Sequence, residues 1–261
     1  LANAINTDCL RHAYLITGAP GIGKYTLATA FIQALLCSEA ISSCGECRTC
    51  SLVAHCKHPD VEVITPVISG KIIKTGKIAI EPIRKLIYRF SLRPVEAARR
   101  IAIISGFEAV TEPAANALLK TLEEPPGDGL LILIASSADR LLPTIVSRCE
   151  QIALRPLSRH TVNCALTERW RASAEHAELL AHLSAGRLGW AVNMLTDTDA
   201  LERRSVIMDD MFQLLAGSRV ARFAYAERLY KDREVVLETL DLWLSWWRDI
   251  LLITSGASTL I

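Results

Sequence analysis

Along the first 156 residues, short apolar runs alternate with stretches whose apolar positions recur at helical spacing. Five runs read as strands: 13-AYLIT-17, 61-VEVIT-65, 100-RIAIIS-105, 130-LLILIAS-136 and 151-QIAL-154. Most are rich in Ile, Val or Leu, as strands covered on both faces of a parallel sheet should be. Between them the pattern predicts helices over 24–37, 80–91 and 112–122, the last with Thr111 as N-cap and Pro113 in its first turn. This alternation implies a doubly wound parallel α/β domain, with functional loops at the C-terminal ends of its strands. After Pro156 the strand signal fades. Residues 158–197 read as a small all-helical unit broken at Gly186 and Gly189, and helical spacing resumes in 206-VIMDDMFQLL-215 and 235–253. The expected domains are therefore 1–156, 157–197 and 198–261.

Composition narrows this picture. With 51% hydrophobic and 22% charged residues, the chain can bury a substantial core, and extensive disorder is not expected. The formal net charge is +1, so bulk charge would not drive an encounter with DNA. No basic segment followed by an apolar one opens the chain, which gives no sign of secretion. The most apolar stretch, 235–254, carries Glu238, Asp241, Arg248 and Asp249, which suits an amphipathic helix and argues against a membrane span. A soluble, cytoplasmic protein is expected. Both ends read as interrupted, 1-LANAI-5 as the close of a helix and 255-SGASTLI-261 as a stop soon after one. The chain is thus read as a fragment.

The first candidate chemistry is 18-GAPGIGKYT-26. Its glycines, Gly18, Gly21 and Gly23, with Lys24, follow a predicted strand and open a predicted helix, the context in which backbone N–H groups cradle a phosphate. Hydrolysis would also need magnesium, held by a hydroxyl after the lysine and by an acid at a neighbouring strand end. Tyr25 occupies the first position. Thr26 is left to meet an α-phosphate but faces the wrong way to hold metal. The strand 100–105 ends in Ser105-Gly106, and the nearest acid, Glu108, reads as part of a solvated turn. ATP or ADP would bind weakly, with both magnesium ligands missing and little means of hydrolysis.

The second is 44-CGECRTCSLVAHC-56. Four thiols within thirteen residues, in a chain without an export signal, favour tetrahedral zinc over disulfides. Cys44, Cys47, Cys50 and Cys56 are the expected ligands, with His55 and His58 as substitutes. A site closed by four thiolates is structural. Cys9, Cys37, Cys149 and Cys164 are scattered and read as core or incidental.

Together with 58-HPDV-61, 115-ANALLKTLEEPP-126 and 142-LPTIVSRC-149, these motifs resemble the AAA+ subunits of the bacterial DNA polymerase III clamp loader over about residues 10–195. The resemblance implies a P-loop AAA+ domain with an inserted zinc knuckle, a helical lid and the beginning of a helical collar domain. It also implies a hetero-pentameric ring with gamma/tau motor subunits and a delta subunit, which opens a sliding clamp and places it on primer-template DNA. Motor subunits keep both magnesium ligands and a lid arginine where this chain has Gly189; Arg187 is offset by two positions. Tyr25, Ser105 and Gly106 fit the rigid, stator-like member. By the same resemblance Arg148 of the SRC segment points into a neighbour's ATP site as an arginine finger.

Two other readings compete. A motor subunit would hydrolyse ATP alone, against the lost magnesium ligands. A zinc-bearing nucleic-acid-binding module would need a basic, aromatic-lined surface, for which the knuckle offers Arg48, Lys57, Lys71 and Lys74.

Overall fold

The computed structural model describes residues 1, 5, 9–39, 43–66, 76–197 and 199–256; Lys71, Lys74 and most of the two end segments lie outside these. The chain divides into two compact units, Leu1–Pro156 and Leu157–Ile261.

In the first unit, strands β1 (Ala13–Thr17), β2 (Val61–Ile64), β3 (Ile101–Ser105), β4 (Leu130–Ala135) and β5 (Glu150–Ala153) form one sheet in the order β2-β3-β4-β1-β5. All pairs are parallel, with Leu15 opposite Leu133 and Ile103 opposite Ile132. Each strand lies within a residue or so of its predicted span. Parallel neighbours require crossovers, and these carry helices α1 (Lys24–Leu36), α2 (Arg48–Ala54), α3 (Ile80–Phe90), α4 (Glu112–Glu123) and the short α5 (Pro143–Val146). The two-residue period of the strands divides the core in two. Ala13 and Leu15 pack with Ile83 and Leu86 of α3 and Leu118 and Leu122 of α4. Tyr14 and Ile16 pack on the other side with Ala28, Phe31 and Ile32 of α1 and Val53 of α2. Burial of both faces explains why β1 and β4 lack a polar alternate. The edge strand β5 is mostly exposed.

The second unit is helical. Helices α6 (Arg159–Trp170), α7 (Ala174–Leu183) and α8 (Leu188–Thr196) enclose a core of Val162, Leu166, Ala177, Leu180, Ala181 and Ala191. Serine hydroxyls cap two of them, Ser158 accepting from Thr161 N–H and Ser173 from His176 N–H. The expected break at Gly189 does not occur. Gly186 alone interrupts the chain, while Gly189 lies in the first turn of α8, where a glycine lowers helix propensity without ending the helix. Helices α9 (Ala200–Ala216), α10 (Arg219–Leu229) and α11 (Arg233–Thr254) follow. Trp243 of α11 stacks on Tyr225 of α10 at 5.9 Å and donates its indole N–H to Ile207 O of α9 at 3.2 Å. Among the described residues no helix is long and apolar enough to cross a membrane.

Candidate nucleotide cradle and metal centre

The phosphate loop joins β1 to α1 at the C-terminal edge of the sheet. Gly18, Gly21 and Gly23 all have positive φ, and a Cβ at Gly18 would stand 3.0 Å from Leu154 O. The turn therefore needs glycine there for both conformation and clearance. Lys24 begins α1, and its ammonium donates to Gly18 O at 2.5 Å and Ala19 O at 3.0 Å. Partial burial lowers its pKa, and the charge of Glu108 works in the opposite direction. Thr26 is exposed.

The turn after β3 differs in one respect from expectation. Gly106 adopts a left-handed conformation and starts the 3-10 turn Phe107–Ala109. Glu108 is exposed there, yet its carboxylate folds back to accept from Ser136 N–H at 3.2 Å, at the end of β4. Ser136 O in turn accepts from Gly18 N–H at 3.2 Å. The acid is thus tied to the crevice beside the lysine. The phenol of Tyr25 lies 3.0 Å from Cys56 Sγ, and its pKa is pushed up to about 12 by burial first and by that contact second.

The thiol cluster corrects the expected ligand set. Cys37, Cys44, Cys47 and Cys50 bring their sulfurs within 4.8 Å of one another, whereas Cys56 is not part of the group. Cys37 is the C-cap of α1, so that helix ends at the cluster. Cys56 follows α2 with positive φ, and the turn carries its thiol to Tyr25. The Cys37–Cys44 and Cys44–Cys50 sulfur separations are 3.6 and 3.9 Å. Sulfurs at the corners of a tetrahedron with arms of about 2.3 Å stand about 3.8 Å apart, which these two separations match, so the four could hold a metal ion. Cys47 N–H points to Cys44 Sγ at 3.3 Å and Cys50 N–H to Cys47 Sγ at 3.4 Å, which orients the sulfurs toward one another. A bound ion here would close the knuckle and has no open position for catalysis.

Beside the knuckle lies Asp60 of the HPDV segment, whose role the sequence did not disclose. Its buried carboxylate accepts from the N–H groups of Val95, Glu96 and Ala97 at 2.7–2.9 Å and lies 3.5 Å from the Arg100 guanidinium. Glu96, at the exposed end of this network, pairs with Arg48 at the start of α2.

Arg148 follows α5. Its guanidinium donates to Thr144 O at 2.9 Å and to Glu123 Oε1, at the end of α4, at 2.5 Å. The side chain is 34% exposed. The neighbouring Cys149 thiol is pushed up to about 12 by burial, which makes it unreactive. In the second unit Arg187 precedes α8, donates to Ser184 O at 2.8 Å and stacks over Trp190.

The five-stranded parallel sheet, the phosphate loop after β1 and the four-thiol cluster around α2 define a P-loop α/β protein with a group of cysteines that could hold a metal ion. Residues 1–158 match the family described as "DNA polymerase III, delta subunit". The DNA polymerase III subunit delta' of Bacillus subtilis (strain 168) is 31% identical, over 98% of this chain and 76% of that protein. Its counterpart in Pseudomonas aeruginosa is 37% identical, over 78% of this chain and 61% of that one. The DNA polymerase III subunit tau of Escherichia coli (strain K12) is 30% identical, over 76% of this chain and 30% of its own length. The chain belongs to the DNA polymerase III delta-prime family.

Proposed function

We propose that the chain is a stator-like subunit of the DNA polymerase III clamp loader, which helps to place a sliding clamp on primed DNA and donates Arg148 to the ATP site of a neighbouring gamma/tau subunit. Its other partners are a delta subunit, the clamp and primer-template DNA, met within a five-membered ring. The observation that carries this reading is a contrast within one domain. Tyr25 and Ser105 stand where metal ligands are needed, while Arg148 lies partly exposed and is held by the carboxylate of Glu123, the Thr144 carbonyl and the Ser147 hydroxyl. ATP or ADP binds the chain's own loop weakly, and zinc in the thiol cluster is structural.

An arginine supplied across an interface accelerates phosphoryl transfer at its site by about 10³–10⁵. The test is a ring reconstituted with Arg148→Ala or Arg148→Lys. DNA-stimulated hydrolysis should fall by the share of one site in both, because lysine lacks the planar fork. Assembly should persist. Unchanged hydrolysis in an assembled ring would leave Arg148 a surface residue.

One observation favours the motor reading instead, the return of the Glu108 carboxylate toward the crevice of Lys24. That reading requires ATP turnover by the isolated chain that disappears in Lys24→Ala; the stator reading requires none above background.

A further inference from the structure

The end of β3, where an acid would meet the metal of a bound nucleotide, is sterically closed to one. Gly106 has a φ of +65°, and a Cβ there would stand 3.0 Å from Pro66 Cγ, so the turn calls for glycine. What the turn delivers instead is Glu108. Its carboxylate accepts from Ser136 N–H at 3.2 Å, and Ser136 O accepts from Gly18 N–H, at the first glycine of the phosphate loop, at 3.2 Å. One residue at the end of β4 therefore links the acid to the loop. The Ser136 hydroxyl is buried and makes no hydrogen bond, so the carboxylate is held through the peptide.

The charge of Glu108 is not cancelled at contact distance. Among the described residues neither Glu108 nor Lys24 belongs to an ion pair. Burial lowers the Lys24 pKa and the charge of Glu108 works against it, which puts the two groups within electrostatic reach. The Lys24 ammonium itself is turned to the loop's own carbonyls, Gly18 O and Ala19 O. Asp139 and Arg140 line a small pocket with Glu108; Asp139 accepts from the Ser137 hydroxyl, and Arg140 stands beyond ion-pair distance. A phosphate loop meets the terminal phosphates of a nucleotide with its lysine and with the ends of the neighbouring strands. A carboxylate tied to those strand ends repels the terminal phosphate most, because like-charge repulsion falls with distance and solvent screens it further.

We propose that Glu108 is a specificity-determining residue of this loop, set against a terminal phosphate, so that the loop takes a nucleoside diphosphate in preference to a triphosphate. This preference rests on the weak nucleotide binding put forward above and is independent of Arg148.

Equilibrium dialysis of labelled ADP and ATP against the whole chain, at low salt and without added magnesium, measures it. Wild type should bind ADP more tightly than ATP. Glu108→Gln keeps an oxygen for Ser136 N–H and removes only the charge; it should tighten ATP about fivefold and change ADP by less than about twofold. At about 0.5 M salt, where the screening length is about 4 Å, the gain should vanish. Adding Lys24→Ala to Glu108→Gln should abolish the ATP binding gained, which locates it at this loop. Glu108→Ala, which also frees the Ser136 peptide, should gain no more than Glu108→Gln. A Glu108→Gln chain that binds ATP no better than wild type, or whose gain is indifferent to salt, overturns the proposal. So does a loss of ATP affinity in Glu108→Gln that appears only on adding magnesium, because the carboxylate would then hold the metal. Absence of nucleotide binding in wild type and variants alike also overturns it, and leaves the stator reading to the Arg148 experiment in the ring.

Discussion

The Asp60 carboxylate illustrates how one side chain organises a loop from a distance. Burial alone would raise its pKa, but three backbone N–H groups and Arg100 together outweigh that effect and hold it below the usual carboxylate value. A depressed folded-state pKa stabilises the protein above the unfolded value, near 3.9 for aspartate, and the contribution is lost as pH falls through the folded value. The melting temperature should therefore decline below about pH 4, and Asp60→Ala should flatten that acid limb. In denaturant titration at neutral pH the same variant should lose about 3 kcal/mol, because Arg100 is left without its buried partner. Aspartate was legible in the sequence but its task was not, since its partners stand 35–37 residues onward. The fourth thiol was obscured in the same manner. Spacing made Cys56 the natural ligand, and only the course of α1 brings Cys37 to the cluster. Elemental analysis should accordingly find about one zinc per chain in wild type and in Cys56→Ser, and substantially less in Cys37→Ser. The reverse order would restore the spacing-based assignment.

Where one helix ends and another begins, two separately quoted motifs turn out to touch. The close of the LLKTLEEPP segment supplies Glu123 from α4, and SRC supplies Arg148 just past α5. Partly exposed ion pairs of this type are worth about 0–1 kcal/mol, so the contact can park the guanidinium without trapping it. Glu123→Gln should consequently change stability by less than about 1 kcal/mol and, in a reconstituted ring, should not lower hydrolysis as Arg148→Ala does. Loss of hydrolysis in both would mean that the carboxylate positions the arginine. The strands and α1, α3 and α4 were readable because their apolar periods are long or unbroken. The short α2 was not, because its seven residues are too few to show a helical apolar period. Gly189 misled in the opposite direction, as packing of Ala191 into the small helical core keeps its turn helical.

Taken as a molecule, the chain shows how far pattern alone reaches. A parallel α/β unit followed by helices could be read from alternation, but the order β2-β3-β4-β1-β5 could not, because it depends on which crossovers pass over which strands. One strut within this unit has a larger consequence. Helix α1 meets the knuckle at three places: Tyr25 near its start touches Cys56, Gln33 donates to Cys50 O at 2.9 Å, and Cys37 at its end joins the thiols. The same helix begins with the lysine of the phosphate loop. The thiol cluster and the phosphate loop are therefore joined by one helical rod. Chelation of the metal should raise amide hydrogen exchange along residues 18–36 as well as 44–54, while α3 and α4, which pack on the opposite face of the sheet, keep their protection. Exchange confined to 44–54 would show that the rod transmits nothing. If the signal does travel, oxidation of those thiols would reach the nucleotide loop with no change at the loop itself, and the cell's thiol poise would become audible at a site built for phosphate.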